Sequence, residues 1–135
     1  PDIAIGADLI AGFPTEDATM AANSLSLIDE CDIVFGHIFP YSPRAGTPAA
    51  RMPQVDRAAA RERASALRVA SARRRAAWLQ GLVGSVQQML VERGGTGHAE
   101  NFAKVRLPDA TGAVGAIVPV RILSTDGATL AGAPV

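Results

Sequence analysis

Phe39-Pro40-Tyr41-Ser42-Pro43-Arg44-Ala45-Gly46-Thr47-Pro48-Ala49-Ala50 is the most informative stretch of this 135-residue chain. It follows the apolar run 33–38, which is typical of a buried strand. Three prolines and a glycine exclude regular structure, so the strand must end in an ordered loop. Loops at the carboxyl ends of parallel strands are where α/β folds bind ligands. Arg44, the one charged side chain of the loop, suits a carboxylate or phosphate; the alternative is a rigid connector with a solvated Arg44.

A second block upstream has the same design. Residues 3–12 are apolar with little alternation, which predicts a strand covered on both faces. Pro14 ends that strand, and Thr15 or Asp17 is expected to cap a helix that runs to about Glu30. The order strand, loop, helix, strand, loop predicts a βαβ unit whose two loops lie at the same edge.

Two motifs carry a family resemblance. They are Asp8-x-Ile10-x-Gly12-Phe13-Pro14-Thr15-Glu16 and His37-x-Phe39-Pro40-Tyr41-Ser42-Pro43-Arg44-x-Gly46-Thr47-Pro48-Ala49-Ala50. Together they resemble the later part of the radical S-adenosylmethionine methylthiotransferases, above all the branch that methylthiolates threonylcarbamoyladenosine beside the tRNA anticodon. The resemblance continues to the C-terminus. One departure is that Thr15 stands where the family usually has a glycine, and the loop after it is about one residue shorter.

The resemblance implies a fold and a set of cofactors. A complete (β/α) barrel needs about 200 residues or more, so residues 1–82 are expected to form only the late part of a radical S-adenosylmethionine barrel. The intact enzyme would use S-adenosylmethionine and two 4Fe–4S clusters. By resemblance, Ile10 would contact the adenine of the cofactor and the backbone at Gly12 would approach it closely. Tyr41 and Arg44 would line the open end of the barrel, near cofactor or substrate.

The cysteine content limits what this chain does alone. Its single cysteine, Cys31, cannot hold an iron–sulfur cluster, which takes three or four thiolates. We therefore expect no metal ligand and no catalytic residue here, and a buried Cys31 that packs as a small hydrophobe. The chain is predicted to be a C-terminal fragment, inactive without the N-terminal part of the same polypeptide. Unpaired strand edges at 3–11 and 33–39 are expected to favour homo-oligomers.

The charge is unevenly spread although the formal net charge is zero. Residues 1–55 hold seven acidic and two basic side chains, whereas residues 56–82 hold seven arginines and two acids. The second segment predicts a helix capped by Asp56, with an apolar stripe and a basic face. Its arginines either contact RNA phosphates or form a solvated face with local pairs to Glu62; the candidates for RNA are Arg68, Arg73, Arg74 and Arg75. No apolar run approaches the roughly 18 residues of a membrane span, and a cytoplasmic location is expected.

Residues 83–135 predict a small all-β barrel. A strand is expected at 86–92 after a helix end near Gly81, and others around 102–107, 116–124 and 129–132, with turns at 93–97, 108–109, 111–112 and 126–127. The segment resembles a TRAM domain, an RNA-binding module with an oligonucleotide-binding-like barrel, so a tRNA anticodon stem-loop is the expected partner. Phe102 is either a base-stacking platform or, slightly favoured, a core aromatic. The other candidate RNA contacts are Lys104, Arg106, Arg121 and His98. For His98 we expect a polar loop residue and not a catalyst, because no partner acid lies at a diagnostic spacing from it in the sequence.

Two other functions remain open from the sequence. The chain could be a stand-alone RNA-binding module, in which residues 1–84 serve only as scaffold. It could also come from the branch of the family that modifies a ribosomal protein, which shares both barrel and TRAM domain. Arg44 argues against that branch, in which an acidic residue is associated with this position.

Overall fold

The computed structural model describes residues 3–107 and 113–135. The chain divides into two compact units: residues 5–74 form one, and the residues from Arg75 onward, with residues 3–4, form the other. The division falls inside a long helix, α2 (Arg57–Gly81). The domain boundary predicted between residues 82 and 83 stays a prediction. Within the described residues, no helix is both long and apolar enough to cross a membrane.

The first unit contains the predicted βαβ arrangement. Strand β1 (Ile5–Ala11) is followed by helix α1 (Ala18–Glu30) and strand β2 (Ile33–Pro40), and the two strands pair in parallel. A short 3₁₀ turn (Ala49–Arg51) interrupts the loop that leads to α2. The βαβ prediction is therefore confirmed.

Side-chain caps explain where both helices start. Asp17 accepts a hydrogen bond from the Met20 amide at 2.8 Å at the start of α1. At the start of α2, one carboxylate oxygen of Asp56 accepts from the amides of Ala58 at 2.9 Å and Ala59 at 3.0 Å. Each carboxylate satisfies amides that have no partner in the first turn of a helix. Of the two caps predicted for α1, the structure uses Asp17.

The core of the first unit lies on one face of the two-stranded sheet. It combines buried side chains of both strands and both helices: Ala11, Ile28, Ile33, Ile38, Ala64, Leu67 and Ala70. Gly36 donates its backbone N–H to the Ser71 hydroxyl at 3.0 Å, and a Cβ on Gly36 would lie 2.7 Å from that oxygen. The expectation that β1 is covered on both faces is wrong for this chain, because Ile10, which alternates with Leu9 and Ala11 of the core face, remains 55% exposed.

The second unit is a closed five-stranded barrel. Its strands are β3 (Val86–Val91), β4 (Thr96–Ala99), β5 (Lys104–Arg106), β6 (Ile117–Thr125) and β7 (Leu130–Pro134). They close in the order β3-β4-β5-β7-β6, which confirms the predicted small barrel. Its core contains Leu79 from the last turns of α2 and the buried residues Met89, Ala99, Ala103, Val105, Leu107, Val120, Ile122 and Leu130.

The barrel differs from the prediction in its strands around Gly97 and Phe102. Strand β4 starts inside the segment 93–97 that was expected to be only a turn; the barrel uses Gly97 because a Cβ there would overlap the carbonyl oxygen of Leu90. Strand β5 begins later than expected, because Phe102 has a φ of 64°, outside the range of a strand. The turns expected at 108–109 and 111–112 lie outside the described residues.

Candidate functional site

The loop after β1 is a tight turn with an unusual residue at its third position. The Glu16 amide donates to the Phe13 carbonyl at 2.9 Å, so Pro14 and Thr15 are the central residues of the turn. Thr15 has a φ of 72°. Proline followed by a residue of positive φ is the pattern of a type II turn, where glycine is favoured. The departure from the family pattern at Thr15 therefore falls at a position where the backbone prefers glycine.

Glu16 fastens this turn to helix α2. Its Oε1 accepts hydrogen bonds from the Gly12 amide at 3.0 Å and from Arg63 Nη1 at 2.8 Å. The same nitrogen of Arg63 donates to the Glu16 carbonyl at 2.9 Å. The Glu16 side chain is only 10% exposed, so its charge is used within the fold. Arg63, on the basic helix, is accordingly a structural arginine.

The loop after β2 is tied to the same edge of the sheet. The Tyr41 amide donates to the Ala11 carbonyl at 2.8 Å. The Tyr41 ring packs edge-to-face on Phe13, with 5.3 Å between ring centroids. The two loops thus come together as predicted. Arg44 is exposed, and its backbone carbonyl accepts from the amide and hydroxyl of Thr47 at 3.2 and 2.8 Å, which shapes the loop around it.

The open face of the sheet carries apolar and titratable groups side by side. Ile10 and Phe39 are register partners and are 55% and 56% exposed. The next pair on this face, Asp8 and His37, is 3.3 Å apart. The fold itself requires a glycine at position 12, whether or not a cofactor approaches its backbone. Gly12 has a φ of 71°, and a Cβ there would lie 2.8 Å from the Ala60 Cα, so close packing against α2 excludes a side chain.

The four helix arginines that were candidates for RNA contact differ in their surroundings. Arg68 Nη2 donates to the Ile38 carbonyl at 2.8 Å. Arg73 Nη2 donates to both carboxylate oxygens of Asp29, at 3.1 and 2.7 Å, and Arg74 pairs with Asp32. The Asp32 hydrogen bond and charge hold the pKa of Arg74 above its ordinary value. Arg75 is half-buried, and its Nε has no hydrogen-bond partner within residues 3–107 and 113–135. Local pairs therefore exist, but the acids come from α1 and the turn after it, whereas Glu62 was expected.

Phe102 lies outside the barrel core, so the preference for a core aromatic was wrong. It is 75% exposed and sits in the turn between β4 and β5 with a positive φ. The turn is held by the Phe102 amide, which donates to the Ala99 carbonyl at 2.9 Å, and by the buried Asn101, whose side-chain oxygen accepts from the Ala103 amide at 3.2 Å. A large exposed ring on a fixed backbone is a surface on which a base can stack.

A row of outward side chains crosses four strands of the barrel. Lys104 is paired with His98, His98 with Leu90, and Leu90 with Ile117. Leu90 and Ile117 are 43% and 69% exposed, and sequence reasoning missed both; the signal available was their alternation with buried residues. His98 does have a partner acid in the structure, although none was expected from the sequence: Glu92 Oε1 lies 3.0 Å from His98 Nδ1.

The two remaining cations lie apart from this row. Arg106 is paired with Thr96, two residues along β5 from Lys104. Arg121 is paired with Val86, at the other end of β3 from Leu90, and donates to the Gly84 carbonyl at 3.4 Å. The structure therefore groups Lys104, Arg106 and His98, and places Arg121 elsewhere on the barrel.

Comparison with known proteins identifies the family. The chain is 40% identical, over 126 residues and 93% of its length, to the threonylcarbamoyladenosine tRNA methylthiotransferase MtaB of Rickettsia prowazekii. It is 36% identical, over 98% of its length, to the tRNA-2-methylthio-N(6)-dimethylallyladenosine synthase of Erythrobacter litoralis, and 33% identical, over 97%, to that of Roseobacter denitrificans. No protein-family model matches.

By sequence, this chain is related to the tRNA methylthiotransferases. The family predicted from the motifs is thereby confirmed. The chain spans about 30% of the length of the R. prowazekii relative and 31% of the other two.

The cysteine of this methylthiotransferase segment does not fit a cluster. Cys31 is exposed at the C-cap of α1, so the expectation of a buried cysteine was wrong; the chain turns there, with Asp32 at a φ of 51°, before β2 enters the core. Among the described residues, no three His, Cys, Asp or Glu side chains group as metal ligands. With one thiol in the sequence, this segment lacks the ligand set of an iron–sulfur cluster.

Proposed function

We propose that this chain is the C-terminal segment of a cytoplasmic enzyme that adds a methylthio group to threonylcarbamoyladenosine beside the tRNA anticodon. The observation that carries the proposal is the 40% identity to the R. prowazekii threonylcarbamoyladenosine enzyme over 93% of the chain. The motifs around Gly12 and Tyr41, where two loops meet at one sheet edge, lie within this similarity. Relatives named for dimethylallyladenosine are 33–36% identical over 97–98% of the chain, or 39% identical over only 68% of it, so the threonylcarbamoyl substrate is the better supported of the two.

The first unit is proposed to complete a (β/α) barrel. Two parallel strands joined by a helix, with both helices on one face, are the repeating element of such a barrel. The exposed face of the sheet, with Ile10 and Phe39, would then turn towards the barrel interior. Each strand would find its next neighbour in the rest of the polypeptide, which would also relieve the edges expected to drive homo-oligomers.

The cofactor S-adenosylmethionine is proposed to lie against this open face. Ile10 would provide apolar contact to the adenine ring, and the backbone near Gly12 would border it. Tyr41 and Arg44 would line the rim of the site. When bound, the cofactor and the iron–sulfur clusters supply the radical chemistry that activates an unreactive carbon. This segment contributes position, because its residues hold the two loops and the open face in place.

The barrel is proposed to act as a TRAM-type RNA-binding module. Phe102 provides an exposed ring, and Lys104, Arg106 and His98 lie close by on neighbouring strands. Cations next to an exposed ring are the usual means by which a small barrel binds single-stranded RNA. Arg73, Arg74 and Arg75 remain proposed contacts, but for Arg73 and Arg74 a phosphate would have to compete with aspartate carboxylates. Arg121 would contribute charge from elsewhere on the barrel.

Binding of an anticodon stem-loop tests the RNA part of this proposal. We expect the chain to bind the stem-loop with an affinity that falls steeply as salt increases, because phosphate contacts release counterions. Replacing Lys104 and Arg106 by glutamine should weaken binding and lower the slope of log K against log salt by about 2. An unchanged slope would show that these cations do not contact phosphate.

Incubation with S-adenosylmethionine tests the enzymatic part. After reconstitution with iron and sulfide, the chain should stay colourless and release no deoxyadenosine under reducing conditions, because Cys31 alone cannot hold a cluster. A brown protein that cleaves S-adenosylmethionine would overturn the proposal that the cluster ligands lie outside this segment.

A further inference from the structure

A groove opens between the two loops and the start of helix α2, within the first unit. Its volume is about 530 Å³, large enough for a phosphate with its attached sugar. The lining comes from both loops, from the start of the helix and from the residues just before it, and it includes Gly12, Tyr41, Ser42, Val55, Arg57 and Arg61. No acidic residue is among these lining residues.

The groove carries two positive charges that the fold does not neutralise. Arg57 and Arg61 are one helical turn apart, on the same side of α2, and both are exposed. Among the described residues, neither forms an ion pair or a side-chain hydrogen bond. Other arginines of this unit do: Arg63 pairs with Glu16, Arg73 with Asp29, and Arg74 with Asp32.

The position of these arginines is electrostatically unfavourable in the chain alone. Like charges one turn apart repel each other, and the positive end of the helix dipole lies at the N-terminus, where anions are favoured. Asp56 already caps the first turn, so its carboxylate is occupied by the amides of Ala58 and Ala59. An anion in the groove would relieve the repulsion between Arg57 and Arg61.

Neutral donors accompany the two charges. The Tyr41 hydroxyl is buried and, within the part of the chain that the structure describes, has no hydrogen-bond partner, although buried hydroxyls usually have one. The Ser42 side chain, next along the loop, is exposed and its hydroxyl is available. Two guanidinium groups and a hydroxyl are the usual recognition set for a phosphate, because their N–H and O–H groups all donate.

We propose that this groove binds a phosphate group, with Arg57 and Arg61 as the charged donors and Ser42 and Tyr41 as neutral ones. The phosphate belongs either to an RNA backbone or to a free phosphate ion. The groove shares Gly12 and Tyr41 with the loops that border the proposed cofactor site. Its charged donors, Arg57 and Arg61, belong neither to that site nor to the RNA-binding residues proposed on the barrel, so a test of these two arginines is independent of both proposals.

Nuclear magnetic resonance of the 135-residue chain tests the site residue by residue. Inorganic phosphate and a short single-stranded RNA are titrated separately at low salt, and the amide signals of Gly12, Ser42 and Val55 are followed. The test variant is Arg57→Gln with Arg61→Gln. The matched control is Arg51→Gln with Arg93→Gln, which removes the same charge from exposed arginines that do not line the groove.

The expected result is a shift of the groove amides that saturates, with a dissociation constant that rises roughly tenfold or more in the test variant and changes little in the control. Saturation by RNA alone assigns the site to an RNA backbone, and saturation by inorganic phosphate alone assigns it to the free ion. Groove amides that respond to neither ligand overturn the proposal, as does an equal loss in test and control variants. Arg61→Gln alone, which leaves the first turn of α2 intact, decides the matter if the double variant fails to fold.

Discussion

Arg63 and Glu16 form a largely buried ion pair that joins helix α2 to the turn after β1, with 2.8 Å between Arg63 Nη1 and Glu16 Oε1. We expect Glu16→Ala to lower the free energy of unfolding by about 2–3 kcal/mol, because Arg63 and the Gly12 amide both lose their acceptor. Urea unfolding followed by circular dichroism measures the change. The control is Asp29→Ala, which removes the exposed pair with Arg73 and should cost less than about 1 kcal/mol. Equal losses in the two variants would contradict the structural role of Glu16.

Replacing Thr15 by glycine should stabilise the chain. A β-branched residue at a φ of 72° is strained by about 1–2 kcal/mol, and glycine removes that strain at a smaller cost in chain entropy. We expect a net gain of about 0.5–1 kcal/mol in thermal or urea unfolding. Ala22→Gly, in the middle of α1, should instead destabilise by about 1 kcal/mol, because glycine weakens helix interiors. A loss of stability in Thr15→Gly would show that the threonine side chain stabilises the fold by more free energy than its strained backbone costs.

Gly12→Ala should destabilise the first unit by at least about 2 kcal/mol. The added Cβ requires both an unfavourable φ and displacement of Ala60 on α2. Gly46→Ala is the matched comparison, because Gly46 also has a positive φ, 86°, but open space around its Cα. It should lose only the conformational part, about 1 kcal/mol. Similar losses at both positions would mean that α2 can move away from the loop.

Phe102→Ala should separate stability from RNA binding. The ring is 75% exposed, so its removal should leave the urea midpoint almost unchanged. If the ring stacks on a base, affinity for the anticodon stem-loop should fall by about 1–3 kcal/mol. Leu123→Ala removes another exposed apolar side chain, 57% exposed on β6, and should leave affinity unchanged. Equal affinity of Phe102→Ala and the parent chain would exclude stacking on Phe102.

The stability of the barrel should depend on pH through Asp126. Hydrogen bonds from the amides of Ala128 and Thr129, together with the charge of Arg106, lower the pKa of Asp126 below its ordinary value of 3.8. A carboxyl whose pKa is lowered by folding contributes stability above the unfolded pKa and loses it as the pH falls through the folded pKa. The advantage of the parent chain over Asp126→Asn should therefore be present at neutral pH and vanish below 3.8. Trp78 fluorescence during urea unfolding reports it, and a difference that persists in acid would contradict the assignment.

Local sequence signals determined the elements and their order. Asp17 and Asp56 predicted the starts of the two helices correctly, because an aspartate side chain before an alanine-rich run can accept hydrogen bonds from the free amides of the first helical turn. The apolar runs that end in glycine and proline predicted strands β1 and β2, because proline lacks the backbone N–H that would continue a sheet. The family, too, follows from sequence alone, because its two motifs are contiguous.

Only the tertiary structure decided which side chains are buried, paired or free. The arginines of α2 look alike in sequence, yet Arg63 and Arg73 meet carboxylates from 44 or more residues away, whereas Arg57 and Arg61 meet none among the described residues. Phe102 and Cys31 were expected to be buried because of their residue types, but both are exposed. Each lies in a turn: Phe102 itself has a positive φ, and Cys31 precedes Asp32, which has one. Burial and ion pairing depend on which residues, distant in the sequence, pack against a position in the folded chain, and a local sequence pattern does not contain that information.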